Sequence, residues 1–114
     1  MKRIGKIKSI DLANGGYQNA AFGLDIEFNG KDENGDDWNG YYFDGPWAVW
    51  MEWRKDNKWI EQDRTDHFGK ILRKINELVI DAKVDSFLEL KNVPVEVILS
   101  GCKVESFRIL KEVL

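Results

Sequence analysis

Five tryptophans, Trp38, Trp47, Trp50, Trp53 and Trp59, fall within 22 residues, and the rest of the chain has none. Tyr41, Tyr42 and Phe43 sit among them, and Arg54, Lys55, Lys58 and Arg64 lie close by in sequence. Flat aromatic faces stack on nucleobases and anchor protein interfaces, and arginine pairs with phosphate or carboxylate. The chemistry this composition points to is gripping, not bond-making. A ring also buries a large apolar area when it lies in a core. A small domain has limited room for all five, so two or more exposed rings would define a binding surface. Trp47, Trp50, Trp53, Arg54, Trp59 and Arg64 are the residues expected to hold a partner or ligand.

The groups that could do covalent chemistry are few. His67 is the one histidine and Cys102 the one cysteine. A general base needs a nucleophile or substrate within reach, and no Gly-x-Ser-x-Gly elbow or comparable motif supplies one. No catalytic residue is assigned. One cysteine forms no intramolecular disulfide and builds no cysteine-based zinc site, and it fits a reducing setting. Asp32, Asn34 and Asp36 have the alternating spacing of a calcium loop, but Asp37 stands where that loop needs glycine and Phe43 where it needs glutamate. A solvated hairpin loop is the plainer reading, and no metal or cofactor is expected. Glu61, Asp63 and Asp66 favour the positive end of a helix dipole, which accounts for them without catalysis. Gly15-Gly16 lacks the frame of a phosphate-binding loop.

The elements that must position these residues begin with one helix. Phe68, Ile71, Leu72, Ile75, Leu78, Val79 and Ala82 recur at steps of three and four. That spacing predicts an amphipathic helix over about 63–83, capped by Asp63 or Thr65. Residues 2–12 read as a strand anchored on Ile4, Ile7, Ile10 and Leu12, with an irregularity near Gly5. Asn14-Gly15-Gly16 is a turn signal. Residues 20–28 alternate cleanly, with Phe22, Leu24, Ile26 and Phe28 on one face. A polar loop over 29–40 leads to a short aromatic strand at 41–43, broken by Gly45-Pro46. Residues 47–53 fit either a strand or a helix. Asp85 caps a short helix at 86–91. Val95, Val97 and Leu99 mark a strand that turns at Ser100-Gly101 into a last strand from Val104 to Leu114, with Phe107 and Ile109 on one face.

The 114 residues suit a single domain, 1–114, and the 43% hydrophobic content provides a core. The formal charge of −3 argues against a general nucleic-acid coat protein. MKRIGKIKSI is basic, but no long apolar stretch follows it, and no apolar run approaches the roughly 20 residues of a membrane span. The order β-β-β-α-β-β defines an α+β chain: an antiparallel five-stranded sheet or an OB-like barrel packed on the main helix. An open edge on the final strand would allow a homo-oligomer.

GGYQNAAFGL (15–24), WIEQDR (59–64) and NVPVEVILSGCKVESFRILKEVL (92–114) together resemble a family of small proteins encoded by bacteriophages and prophages. The resemblance runs nearly end to end, and its motifs are turns, strand faces and a helix start. It implies a phage setting, hence the cytoplasm of a bacterial host, and it carries no catalytic residue. The expected function is non-enzymatic binding that counters a host defence, by occupying a host protein or sequestering a nucleotide signal through the tryptophan-rich surface. The alternative is an OB-type protein of phage DNA metabolism that binds single-stranded nucleic acid.

Overall fold

The computed structural model describes residues 1–47 and 61–114. Five strands, β1 (Lys2–Gly15), β2 (Ala21–Lys31), β3 (Asp37–Asp44), β4 (Pro94–Ser100) and β5 (Lys103–Ile109), close into a barrel in the order β1-β2-β3-β5-β4. The helix α1 (Glu61–Ala82) lies between β3 and β4 in the chain. All neighbouring strands are antiparallel except β3 and β5, which run parallel and meet at a single pair, Tyr41 with Lys103. The architecture is α+β with an OB-like barrel. The alternative of an antiparallel sheet is corrected by that closure and by the parallel seam. On the side away from β4, β5 meets β3 at its first residue, Lys103, alone.

The interior is built from strand residues at alternate positions. Leu24, Ile26 and Phe28 of β2 are fully buried, as are Val95 and Val97 of β4. The rings of Phe28 and Phe107 lie 5.0 Å apart and those of Tyr42 and Phe107 5.2 Å apart, geometries worth about 0.5–1.5 kcal/mol each beyond the buried area. In β1 the register slips between Ile7 and Ser9, so Lys8 is an extra residue against β2. The irregularity expected at Gly5 therefore falls three residues later. It lets Ile7 and Ile10, three apart, both face the core, while Ile4 pairs opposite Glu96 and is exposed.

The helix turns Ile71, Leu78 and Ala82 fully inward, with Phe68, Ile75 and Val79 packed against the same core. Leu72, expected on this stripe, stands at its edge and is 61% exposed. The start at Glu61 places Asp63 and Thr65 inside the helix, so neither is its cap. The short helix near 86–91 is a 3-10 turn, Phe87–Leu90, capped by Ser86 and not by Asp85. There the Ser86 hydroxyl accepts from the Leu88 amide while the Glu89 carboxylate accepts from the Ser86 amide. The final strand ends at Ile109, and a 3-10 turn, Lys111–Val113, follows it. The polar loop expected over 29–40 shrinks to a tight turn between β2 and β3. Asp32 Oδ1 accepts from the amides of Asn34 and Asp36, an arrangement that spends this oxygen on the turn itself. Among the described residues no cluster of histidine, cysteine, aspartate or glutamate is arranged to hold a metal ion, and no helix is long and apolar enough to cross a membrane.

Candidate functional site

The β2–β3 register sorts side chains between barrel interior and exterior. Leu24, Ile26 and Phe28 pair with Asp44, Tyr42 and Gly40, so the intervening pairs, Asp25 with Phe43 and Glu27 with Tyr41, fall on the outer face. Beside them on β1, Asp11 pairs with Asp25 and Ser9 with Glu27. The outside of the barrel here carries two rings and three carboxylates within a few residues of each other.

The Phe43 ring rests on the turn after β1. A side chain at Gly15 would stand 2.5 Å from the Phe43 ring, so only glycine leaves it a seat. Phe43 forms a partition between two recesses. One, of about 420 Å³, lies toward the β4–β5 hairpin and is lined by Asp25, Tyr41, Tyr42, Cys102 and Lys103. The other, of about 300 Å³, lies toward the β1–β2 turn and is lined by Tyr17, Ala21, Pro46, Trp47 and His67. Both share Gly16 and Phe43, so the two lie side by side along β3 with the Phe43 ring between them. The smaller already has the volume of a small-molecule site and walls that are mostly apolar.

Trp47 is brought to this groove by an unusually close passage of backbone. After β3 the chain crosses back over β2, where the Phe22 amide donates to the Pro46 carbonyl at 3.0 Å and Trp47 bridges to Ala21. A side chain at Gly23 would come within 2.1 Å of the Asp44 carbonyl oxygen, and one at Gly45 within 2.3 Å of that of Phe22. Glycine at both positions is what lets the crossing lie flat. Trp47 emerges 39% exposed, and Tyr17, on the facing turn, 79% exposed.

Of the residues expected to grip a partner, Trp47 lies in the groove, and Trp50, Trp53, Arg54 and Trp59 lie outside the described residues. Arg64 is 1% exposed, and its Nε donates to the Trp47 carbonyl at 3.1 Å. The expectation of a surface guanidinium meets a buried one that ties the start of α1 to the end of the β2–β3 crossing. Trp38, half-buried, packs against the core from the inner side of β3. Tyr17, Pro46 and Asp25 were not singled out from the sequence. The turn signal at Gly15-Gly16 and the outward phase of the β2 alternation were the clues to Tyr17 and Asp25.

His67 is held structurally. Its Nε2–H donates to Asp44 Oδ1 at 2.7 Å, joining α1 to the end of β3. A third, polar recess of about 470 Å³ adjoins it, lined by Asp44, Asp63, Asp66 and Lys70. No serine, threonine or cysteine lines either recess that contains His67, among the described residues.

Among the described residues, carboxylates predominate around the groove. Burial raises the pKa of Asp25 first, and the neighbouring charges of Glu27 and Asp11 raise it further. Glu27 has Lys8 at 3.7 Å, whereas among the described residues no lysine or arginine lies within ion-pair distance of Asp25. The phenol of Tyr42 is likewise pushed up, by burial and then by Asp44. Among the described residues, Asp11, Asp25 and Glu27 on one side, with Asp44, Asp63 and Asp66 on the other, outnumber Lys8, Lys70 and Lys103.

Searches with the chain match no protein-family model, no curated protein and no solved structure.

Proposed function

We propose that this chain is a small, non-enzymatic binding protein of the phage-encoded kind, which acts in a bacterial host by occupying a host protein or holding a nucleotide-type ligand. The observation that carries the reading is the groove along β3, where Tyr17, Phe43, Trp47 and Tyr41 border two adjoining recesses on the outside of an OB-like barrel. Rings presented on a rigid strand and a tight turn give contact area at little cost in side-chain entropy. Action by stoichiometric occupation needs no catalytic group, and a block on a host defence is the role we assign to it. Immobilised protein incubated with bacterial lysate, beside Tyr17→Ala and Tyr41→Ala variants that keep the parent melting temperature, tests this. The parent should retain a protein or nucleotide that both variants release. Identical retention by all three sinks the reading.

A second reading, single-stranded nucleic-acid binding, draws support from the barrel type, whose β2–β3 face serves oligonucleotides in other proteins. The carboxylates on that face oppose it, since phosphate contacts want lysine and arginine. Quenching of tryptophan fluorescence by oligo-dT at low salt, fading as salt rises, would favour it over the first.

A further inference from the structure

We infer that the ligand of this groove is an extended, positively charged segment of a partner protein, with arginine or lysine side chains seated on the rings and between the carboxylates. The inference rests on the reading of the groove as a binding surface and names what that surface selects.

Three observations converge. The first is spacing. Tyr41 and Phe43 are alternate residues of one strand and share its outer face, so their rings project about 6.8 Å apart along it. Alternate side chains of an extended peptide have the same repeat, and a peptide running along β3 would offer one side chain to each recess. The second is the pairing of rings with acid. Phe43 stands directly opposite Asp25, and Tyr41 opposite Glu27. A guanidinium or ammonium over an aromatic face beside a carboxylate gains from both, through the ring quadrupole and through the charge.

The third is an unmet electrostatic demand. Asp11 and Asp25 face each other across the β1–β2 ladder, and like charges directly opposite destabilise a sheet. Within the groove a cation arriving beside Asp25 relieves that repulsion. At the far end, Asp44, Asp63 and Asp66 continue the negative field past the His67 contact. A phosphate backbone laid on the same track would meet carboxylates at both ends, with Lys103 and Lys70 the cations lining the flanking recesses among the described residues. Charge complementarity therefore selects a basic protein segment over a nucleic acid.

The test is isothermal titration of the intact protein with three probes: a peptide of alternating arginine and glycine, its counterpart with glutamate for arginine, and oligo-dT of similar length. The basic peptide should bind saturably at about 50 mM salt and weaken roughly tenfold by about 300 mM, as the carboxylates are screened. Asp25→Asn should weaken it roughly two- to fivefold, and Tyr17→Ala by a similar factor. The acidic peptide and oligo-dT should give no heat. If oligo-dT or the acidic peptide binds and Tyr17→Ala abolishes it, the charge assignment falls while the groove stands. If no probe binds, or the basic peptide binds Asp25→Asn and Tyr17→Ala as well as the parent, the inference is overturned, and the lysate comparison alone then decides the groove.

Discussion

Replacing Asp25 by asparagine should make this protein more stable at neutral pH and leave it unchanged in acid. Asp25 stands opposite Asp11 in the β1–β2 register and two residues from Glu27 on its own strand. Its pKa in the fold is raised above the ordinary 3.8, by burial first and then by Glu27 and Asp11. A carboxyl whose folded pKa is raised contributes stability that is fully present below its unfolded pKa and is lost as pH rises through the folded value. At pH 7 the ionised group is therefore a net cost, and asparagine, of the same shape and without charge, removes it.

The size of the gain follows from the neighbours. A like-charged pair directly across a ladder costs about 0.2–1 kcal/mol. Glu27 adds less than its distance suggests, because Lys8 lies 3.7 Å from it. Asp25 is only half-buried, so solvent screens part of the effect. About 0.2–1 kcal/mol remains, which in a chain of this size is roughly 1–5 °C in melting temperature. Thermal unfolding followed by circular dichroism at pH 7 and at about pH 3, below the ordinary carboxyl value, measures both arms. A rise at pH 7 that vanishes at pH 3 and shrinks in high salt is the expected pattern. A fall at pH 7, or an equal change at both pH values, would refute the electrostatic account and make Asp25 a hydrogen-bonding or packing residue.

Two further substitutions probe how the groove is held. Gly23→Ala puts a methyl group where the Asp44 carbonyl stands 2.1 Å away. The crossing chain must lift, so chemical unfolding should show a loss of about 1–3 kcal/mol and the fluorescence of Trp47 should shift toward that of a solvated indole. On the helix, Ile71→Ala should cost about 2–5 kcal/mol, whereas Leu72→Gln should stay within about 0.5 kcal/mol of the parent by the same denaturant assay. Equal losses would mean that the stripe is wider than the burial of its side chains indicates.

The parts of this fold that were legible in the sequence are those set by local periodicity. The three-and-four spacing from Phe68 to Ala82 marked α1, and the alternation from Phe22 to Phe28 marked β2 with its faces in the right phase. What failed to show was set by partners far along the chain. β3 begins at Asp37, yet Asp37, Asn39 and Gly40 carry no apolar alternation; their strand state comes from backbone pairing with Lys31, Asn29 and Phe28. In β1 the strand and its irregularity were legible but not the bulge's place at Lys8, because the spacing of three from Ile7 to Ile10 does not say which residue is the extra one. Barrel closure hung on one pair, Tyr41 with Lys103, which no local pattern announces. The inward face of Arg64 is written in the helical period itself. The residue stands four residues before Phe68 and seven before Ile71, so the period that placed those two inward placed Arg64 inward as well. Its nearness to tryptophans in sequence outweighed the face it occupied.

The site was harder to see than the fold for a related reason. Tryptophan count drew attention to 47–59, but the groove owes its shape to residues with no chemical signature of their own. Gly15 seats the Phe43 ring, and Gly23 and Gly45 let the chain lie flat enough to deliver Trp47. Its electrostatic character comes from Asp11 and Asp25, 14 residues apart in the chain, neighbours only in the folded register and unremarkable in a chain with 20 acidic residues. A pair of facing carboxylates weakens the sheet when the groove is empty and strengthens the grip on a cation when it is filled. Asp25→Asn should therefore move stability and affinity in opposite directions, a divergence that a purely structural role for Asp25 would not produce.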